Sequence, residues 1–325
     1  VDLSPTFLSL IGKEKPAQMQ GRAFLGAHRV EPAADEMEFL YADRFDELYG
    51  MRRGLTDGKW KYIRNFNPDF PNAPYSFYQF GQPGWKAYQK AWQDGKLKGI
   101  HQTLWEAPGN SEQLYDLSAD PWEINNLAKD PAHQEKLIAL RAKLKATMVE
   151  IRDTGLVPEP LFDTIAGTST ISAQVSNPQF AIQSTADLAF AASAGEMTYL
   201  PDFKKALTSE NVIDRYWGLV GLRILGDRAK AEVDSIALLL KDQHPVIRAT
   251  AAEASFVMGK KDLAAKALLA DFKTPMNEAS MLHLLNTLRR LDLLDQLPKN
   301  KAKGGKKQAG GTDYVERFQE SALGH

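Results

Sequence analysis

Arg53-Gly54-Leu55-Thr56-Asp57-Gly58-Lys59-Trp60-Lys61-Tyr62-Ile63-Arg64-Asn65 is the stretch on which the fold turns. An Asp-Gly pair between two alternating runs reads as a β-hairpin, because a two-residue turn needs positive φ at both central positions. The spacing predicts strands over 49–56 and 59–64. Glu38-Phe39-Leu40-Tyr41 precedes them as a shorter candidate, and Glu112-Gln113-Leu114-Tyr115-Asp116-Leu117 follows, closed by the turn Ala119-Asp120-Pro121-Trp122-Glu123. Then comes a helix. Asp130 is its N-cap, Pro131 its first residue, and Leu137, Leu140, Leu144, Met148 and Ile151 recur at helical spacing until Gly155. One face of that helix is built to lie on a sheet, so the first half of the chain reads as α+β.

Inside this pattern sits an unusual segment. Residues 66–105 hold ten of the 31 aromatic side chains, and prolines at 68, 71, 74 and 83 keep the first part irregular. Trp85, Tyr88 and Trp92 share one face of a short helix. Two readings stay open: flat rings that pack on the apolar faces of sugars, or an insertion that folds onto a small core of its own.

Residues 155–181 are rich in Pro, Gly, Ser and Thr with few charges, which predicts a domain boundary with a partly ordered linker. Beyond it the chain is helical with an internal period. Arg215, Gly218, Leu219, Gly221 and Gly226 match Arg248, Ala251, Ala252, Ala254 and Gly259, each pair 33 apart, and a weaker third copy runs through Leu284 and Leu285. Periods of this length mark helical solenoids, and small residues at matching positions let helices approach closely. Pro245-Val246-Ile247-Arg248-Ala249-Thr250-Ala251-Ala252-Glu253-Ala254 resembles a HEAT-type repeat. The Lys/Gly-rich tail over 299–325, with five lysines among residues 299–307, is expected to be a solvated flexible end.

Composition excludes several function classes. Forty Lys+Arg against 41 Asp+Glu give a net charge of -1, so no global field draws the chain onto nucleic acid or an anionic membrane. With no cysteine there is no thiolate nucleophile, disulfide or Cys-bound metal. No apolar run approaches the roughly 18 residues a bilayer span needs, Ile236-Ala237-Leu238-Leu239-Leu240 being among the longest. The chain starts at Val1, and Asp2 to Gly12 reads as an amphipathic helix rather than a signal peptide. The element on which its apolar face packs is expected upstream of Val1.

The order of short motifs carries a resemblance. Asp2-Leu3-Ser4-Pro5-Thr6-Phe7-Leu8, Met19-Gln20-Gly21-Arg22, Asp43-Arg44-Phe45-Asp46-Glu47, the Arg53–Asn65 hairpin and Glu112 to Leu127 resemble the C-terminal half of the formylglycine-dependent sulfatases. The subgroup it looks most like contains arylsulfatases and heparan N-sulfatase. The resemblance covers residues 1–153 and implies the C-terminal antiparallel-sheet subdomain of an alkaline-phosphatase-like fold, with one long helix across the sheet. The expected organisation is therefore a sulfatase C-terminal region over 1–154, a linker over 155–181, HEAT-like repeats over 182–298 and the tail.

The resemblance also sets what chemistry to look for. Sulfate ester hydrolysis crowds charge on the sulfate oxygens, so a site needs a nucleophile, fixed positive charge and a proton donor for the leaving group. Family members make the nucleophile from Cys or Ser in C/S-x-P-x-R and hold calcium on Asp and Asn. The nearest string here, Ser176-Asn177-Pro178-Gln179-Phe180, ends in Phe, so this chain is expected to lack the nucleophile and the metal ligands. It is expected to contribute substrate contacts. Arg52 and Arg53 precede the hairpin, and an arginine fork suits sulfate or carboxylate, although alternation lets only one face a given side. Asp43, Arg44, Asp46 and Glu47 before them suit sugar hydroxyls or an amino group; surface ion pairs are the other reading for all six. His28, beside Arg29, completes the candidate set. Lys59, Lys61 and Arg64 read as a solvated strand face. The implied partner is a sulfated carbohydrate, the implied location periplasmic or extracellular. A rival reading is a noncatalytic interaction module whose helical repeats bind a protein; a third has the chain dock onto a separately encoded catalytic half.

Overall fold

The hairpin forms the middle of a four-stranded antiparallel sheet of order β1-β2-β3-β4, in which β1 is Glu38–Phe45, β2 Leu48–Thr56, β3 Trp60–Asn65 and β4 Glu112–Asp116. The computed structural model describes residues 1–33, 35–72 and 76–298, together with Val315 and Phe318. The β2–β3 turn differs from the expected two-residue type. Thr56 pairs with Lys61, and only Gly58 has positive φ (85°). The carboxylate of Asp57 closes the wider loop by accepting from the backbone N–H of Lys59 at 2.9 Å and of Trp60 at 2.6 Å.

Register decides what the sheet presents. Leu55 lies opposite Tyr62, which lies opposite Leu114, so these and Met51 share one buried face. Across it runs the long helix. Its predecessors in the chain are α1 (Leu3–Leu10), α2 (Phe77–Gly81) and α3 (Pro83–Gln93); the helix itself, α4, is Gln134–Glu150. Leu137, Leu140, Leu144 and Met148 of α4 are buried against the sheet, as the spacing predicts, whereas Ile151 lies beyond the helix end and is exposed. Asp130 caps a preceding 3-10 turn, Pro131–His133, by accepting from the N–H of Ala132.

The segment 155–181 differs from a linker. It holds two short helices, α5 (Phe162–Ala166) and α6 (Ile171–Ser176), and buries Leu156, Val157, Leu161 and Val175 in the same core as Met51 and Tyr62. That core continues through α7 (Ile182–Ala194), α8 (Leu200–Leu207), α9 (Val212–Leu225), α10 (Val233–Leu238) and α11 (Pro245–Val257) without a break. A second cluster lies between α11, α12 (Lys261–Asp271) and α13 (Glu278–Arg290). Phe318 is buried in it; the rest of the tail, Val315 apart, lies outside the described residues.

The 33-residue period has a geometric counterpart. Arg215 of α9 pairs with Asp242 at 2.9 Å and donates to the carbonyls of Ser209 and Glu210. Arg248 of α11 pairs with Asp271 at 2.8 Å and donates to the carbonyls of Asp242 and Gln243, the same positions shifted by 33. The small residues act as expected: a Cβ on Gly221 would stand 2.7 Å from the ring of Phe203. The third copy keeps buried Leu284 and Leu285 but has Met281 where the arginine would stand. Among the described residues no helix is long and apolar enough to cross a membrane.

Candidate functional site

Around the β1–β2 turn the structure gathers most of the candidate polar residues and gives nearly all of them partners inside the chain. Phe45 pairs with Leu48, leaving Asp46-Glu47 as a two-residue turn with Asp46 at φ 50°. Asp and Asn tolerate this left-handed geometry better than other side chains, which accounts for Asp46. Glu47 turns inward. One of its carboxylate oxygens accepts from the N–H of Phe77 at the start of α2, and the other has no hydrogen-bond partner although it is buried. Its backbone carbonyl accepts from Asn286 of α13 at 2.6 Å.

The two adjacent arginines separate as strand alternation requires. Arg53 points to the α4 side and is 2% exposed. Its Nε and Nη2 donate to both oxygens of Asp153 at 2.6 and 3.1 Å, and Nη1 and Nη2 donate to both oxygens of Asp43 at 3.0 Å each. The carbonyls of Ala42 and Arg52 take the remaining directions of Nη1. Burial opposes its charge, but the hydrogen bonds and charges of Asp153 and Asp43 outweigh that and hold the guanidinium pKa above its ordinary value. Gly155 leaves the space this needs, since a Cβ there would overlap Nη2 of Arg53. Arg44 pairs with Glu159 and lies over the ring of Tyr49.

Arg52 faces the other side. Its Nη2 donates to the side-chain oxygen of Asn72 at 3.1 Å, and Asn72 in turn donates to the carbonyl of Thr103. Among the described residues no carboxylate pairs with Arg52, and burial lowers its pKa. Within the group it is the arginine without a carboxylate partner among the described residues, Arg44 and Arg53 both being paired. His28 lies apart from all of these: its backbone N–H donates to Ser9 Oγ at 2.8 Å, and its ring borders a cavity of about 530 Å³ with Pro5, Glu14, Gly21, Arg22 and Val30.

Three features were not read from the sequence. Asp153 and Glu159, the carboxylates that neutralise Arg53 and Arg44, fall at the end of α4 and in the supposed linker. Arg64, expected on a solvated face, is buried: its Nη2 donates to the carbonyl of Phe190 at 2.6 Å and to Ser193 Oγ at 2.8 Å, and its guanidinium lies 5.0 Å from the Phe190 ring. Its even number, shared with Tyr62, carried that signal. A groove of about 510 Å³ between β4, α4 and α7 is the third. Its cations are already spent, Arg141 on both oxygens of Glu112 at 2.6 Å and Lys145 on Asp187 at 2.7 Å. No group of three or more His, Cys, Asp or Glu side chains able to hold a metal ion occurs among the described residues.

No protein-family model matches the chain. Two proteins of Formosa agariphila, each named an ulvan-active sulfatase, are similar to it. One is 32% identical over 185 residues, 56% of this chain and 30% of that protein; the other is 29% identical over 155 residues, 42% of this chain and 26% of that protein. The chain thus matches under a third of each relative's length. The likeness supports a relationship to the sulfatases over part of the chain, in agreement with the mixed α+β architecture and its small antiparallel sheet.

Proposed function

We propose that this chain is the C-terminal portion of a formylglycine-dependent sulfatase that removes sulfate from a sulfated carbohydrate, with the nucleophile and calcium ligands supplied by sequence outside these 325 residues. The likeness to two ulvan-active sulfatases carries this reading. Calcium would stabilise charge on the sulfate oxygens; the described residues contain no cluster fit to hold it. What this chain supplies is a rigid sheet that positions Arg52 for sulfate or carboxylate. The outward apolar side of α1 is then the surface on which the catalytic half packs. The helical half is read as HEAT-like repeats with a surface for a protein partner, and the location as periplasmic or extracellular.

Coding sequence upstream of Val1 tests this reading, with an in-frame C/S-x-P-x-R expected. The longer product should hydrolyse an aryl sulfate in the presence of calcium, and the 325-residue chain alone should not. Turnover by the chain alone would overturn the division of labour. A true start codon near Val1 with no catalytic partner co-purifying would favour the noncatalytic interaction module instead.

A further inference from the structure

The insertion at 76–105 differs in chemistry from the rest of the chain. It carries Lys86, Lys90, Lys96 and Lys98 against one carboxylate, Asp94, in a protein whose net charge is -1. Lys90 and Lys96 share Asp94 at 2.9 and 2.8 Å, while Lys86 and Lys98 have no acidic partner among the described residues. The rings are layered. Trp105 is buried beneath Phe80, Trp85, Tyr88 and Trp92, and its indole N–H has no acceptor, so ring contact rather than hydrogen bonding through the indole holds the layer. Trp92 stacks almost parallel on Trp105, at 15° and 5.5 Å, and stays 39% exposed, so the ring face away from Trp105 meets solvent.

A small private core accounts for Trp105 and Phe80. It does not account for a half-exposed indole in a segment that also carries two lysines, Lys86 and Lys98, without acidic partners among the described residues. At about 100° per residue around α3, the arc of Trp85, Tyr88 and Trp92 passes through Gln89 and Gln93 to Lys86 and Lys90. A flat apolar ring, then amides, then cations is the order of groups along a sulfated pyranose: the C–H face, the hydroxyls, the sulfate. The insertion also adjoins Arg52, since Asn72 bridges Arg52 to Thr103. We infer that residues 76–105 form a docking surface for a sulfated polysaccharide, with Trp92 as its stacking platform and Lys86 and Lys98 as its sulfate contacts. This deepens the sulfated-carbohydrate reading above and rests on it for the choice of ligand.

Dextran sulfate and unsulfated dextran, titrated against the full chain by calorimetry, test it. The chain should bind dextran sulfate and bind dextran at least tenfold more weakly. Trp92→Ala should lower affinity for dextran sulfate roughly thirtyfold, the lower bound of a hot-spot truncation. The double variant Lys86→Glu, Lys98→Glu should lower it more at an ionic strength of about 0.01 M than at about 0.15 M, where screening shortens the reach of charge. The lysines are exposed, so their variants keep the fold even if Trp92→Ala loosens the insertion. Equal affinity of wild type and both variants, equal binding of the two dextrans, or Trp92-dependent dimerisation without dextran sulfate binding would overturn the inference. The sulfatase reading fails separately: it is lost if the longer product does not turn over a small aryl sulfate, whatever the binding result.

Discussion

Where the loop after β3 meets α9, α11 and α13, every charge is answered, whereas around α1 the apolar side chains face outward. At the first place Arg223 donates to Asp69 at 2.8 Å, to Asn67 at 2.9 Å and to Glu253 at 3.0 Å; Glu253 also accepts from Arg290 at 2.7 Å. The ring of Phe70 lies between the two guanidinium groups, 4.3 Å from Arg223 and 3.9 Å from Arg290. At the second, α1 buries Pro5, Thr6 and Ser9 and exposes Leu3, Phe7 and Leu10, the reverse of an ordinary amphipathic helix. Buried charge without partners is costly, so the first joint must be complete within the chain. Grouped exposed apolar side chains are what a contact surface presents, and on the proposed reading the second is where a catalytic half would pack.

The largest effect should come from Glu253→Ala, which leaves the Arg290 guanidinium without a carboxylate and Arg223 with Asp69 alone. Breaking a buried ion pair from one side costs roughly 3–5 kcal/mol, and urea unfolding should show a loss of about 4 kcal/mol. A loss below about 1 kcal/mol would mean that water reaches this joint and that the contrast with α1 is false.

Next in size is the difference between neighbours in β2. Arg53→Met strands Asp153 and Asp43 and should cost about 3 kcal/mol. Arg52→Met removes no ion pair and should stay within about 0.5 kcal/mol. Equal costs for the two would show that Arg52 is also structural, and would remove it as a substrate contact.

These cases show what could be read from sequence. The hairpin, the α4 face and the 33-residue period were legible because each is written in local spacing. The clamp on Arg53 was not, because Asp153 lies 100 positions away and nothing local distinguishes a clamped arginine from a free one. The linker reading failed for another reason: Pro and Gly report the absence of regular structure, not the absence of burial, and Leu156 and Val157 are buried in the main core. Asp57-Gly58 gave the right hairpin and the wrong turn, since the carboxylate of Asp57 closes a wider loop than its dipeptide suggests.

Acid should act on the closed joint. Burial and then Arg290 lower the His283 pKa from 6.5 to about 3; for Glu253 burial acts upward, but Arg290 and Arg223 outweigh it and lower the pKa from 4.5 to about 2. In each interval the unfolded chain binds a proton that the folded chain does not, so stability falls as pH falls. The loss begins below pH 6.5 through His283 and steepens below 4.5 through Glu253. One such group contributes about 1 kcal/mol per pH unit, and His283→Gln should abolish the limb above pH 4.5 in urea midpoints taken across that range. An unchanged slope would place the acid sensitivity elsewhere.

The smallest effect is expected on the open side. Phe7→Ser replaces a side chain that is 66% exposed, so the unfolding free energy from urea titration should change by less than about 0.5 kcal/mol. Ser9→Ala is the control on the same helix. Its hydroxyl accepts from the N–H of His28 at 2.8 Å, and its loss should cost about 1 kcal/mol. On α1 the loss of a buried hydroxyl would then be the harmful change and the loss of an exposed phenyl ring nearly silent. If Phe7→Ser instead costs more than about 1.5 kcal/mol, the chain covers that face by itself, and α1 ceases to be a surface for a catalytic half.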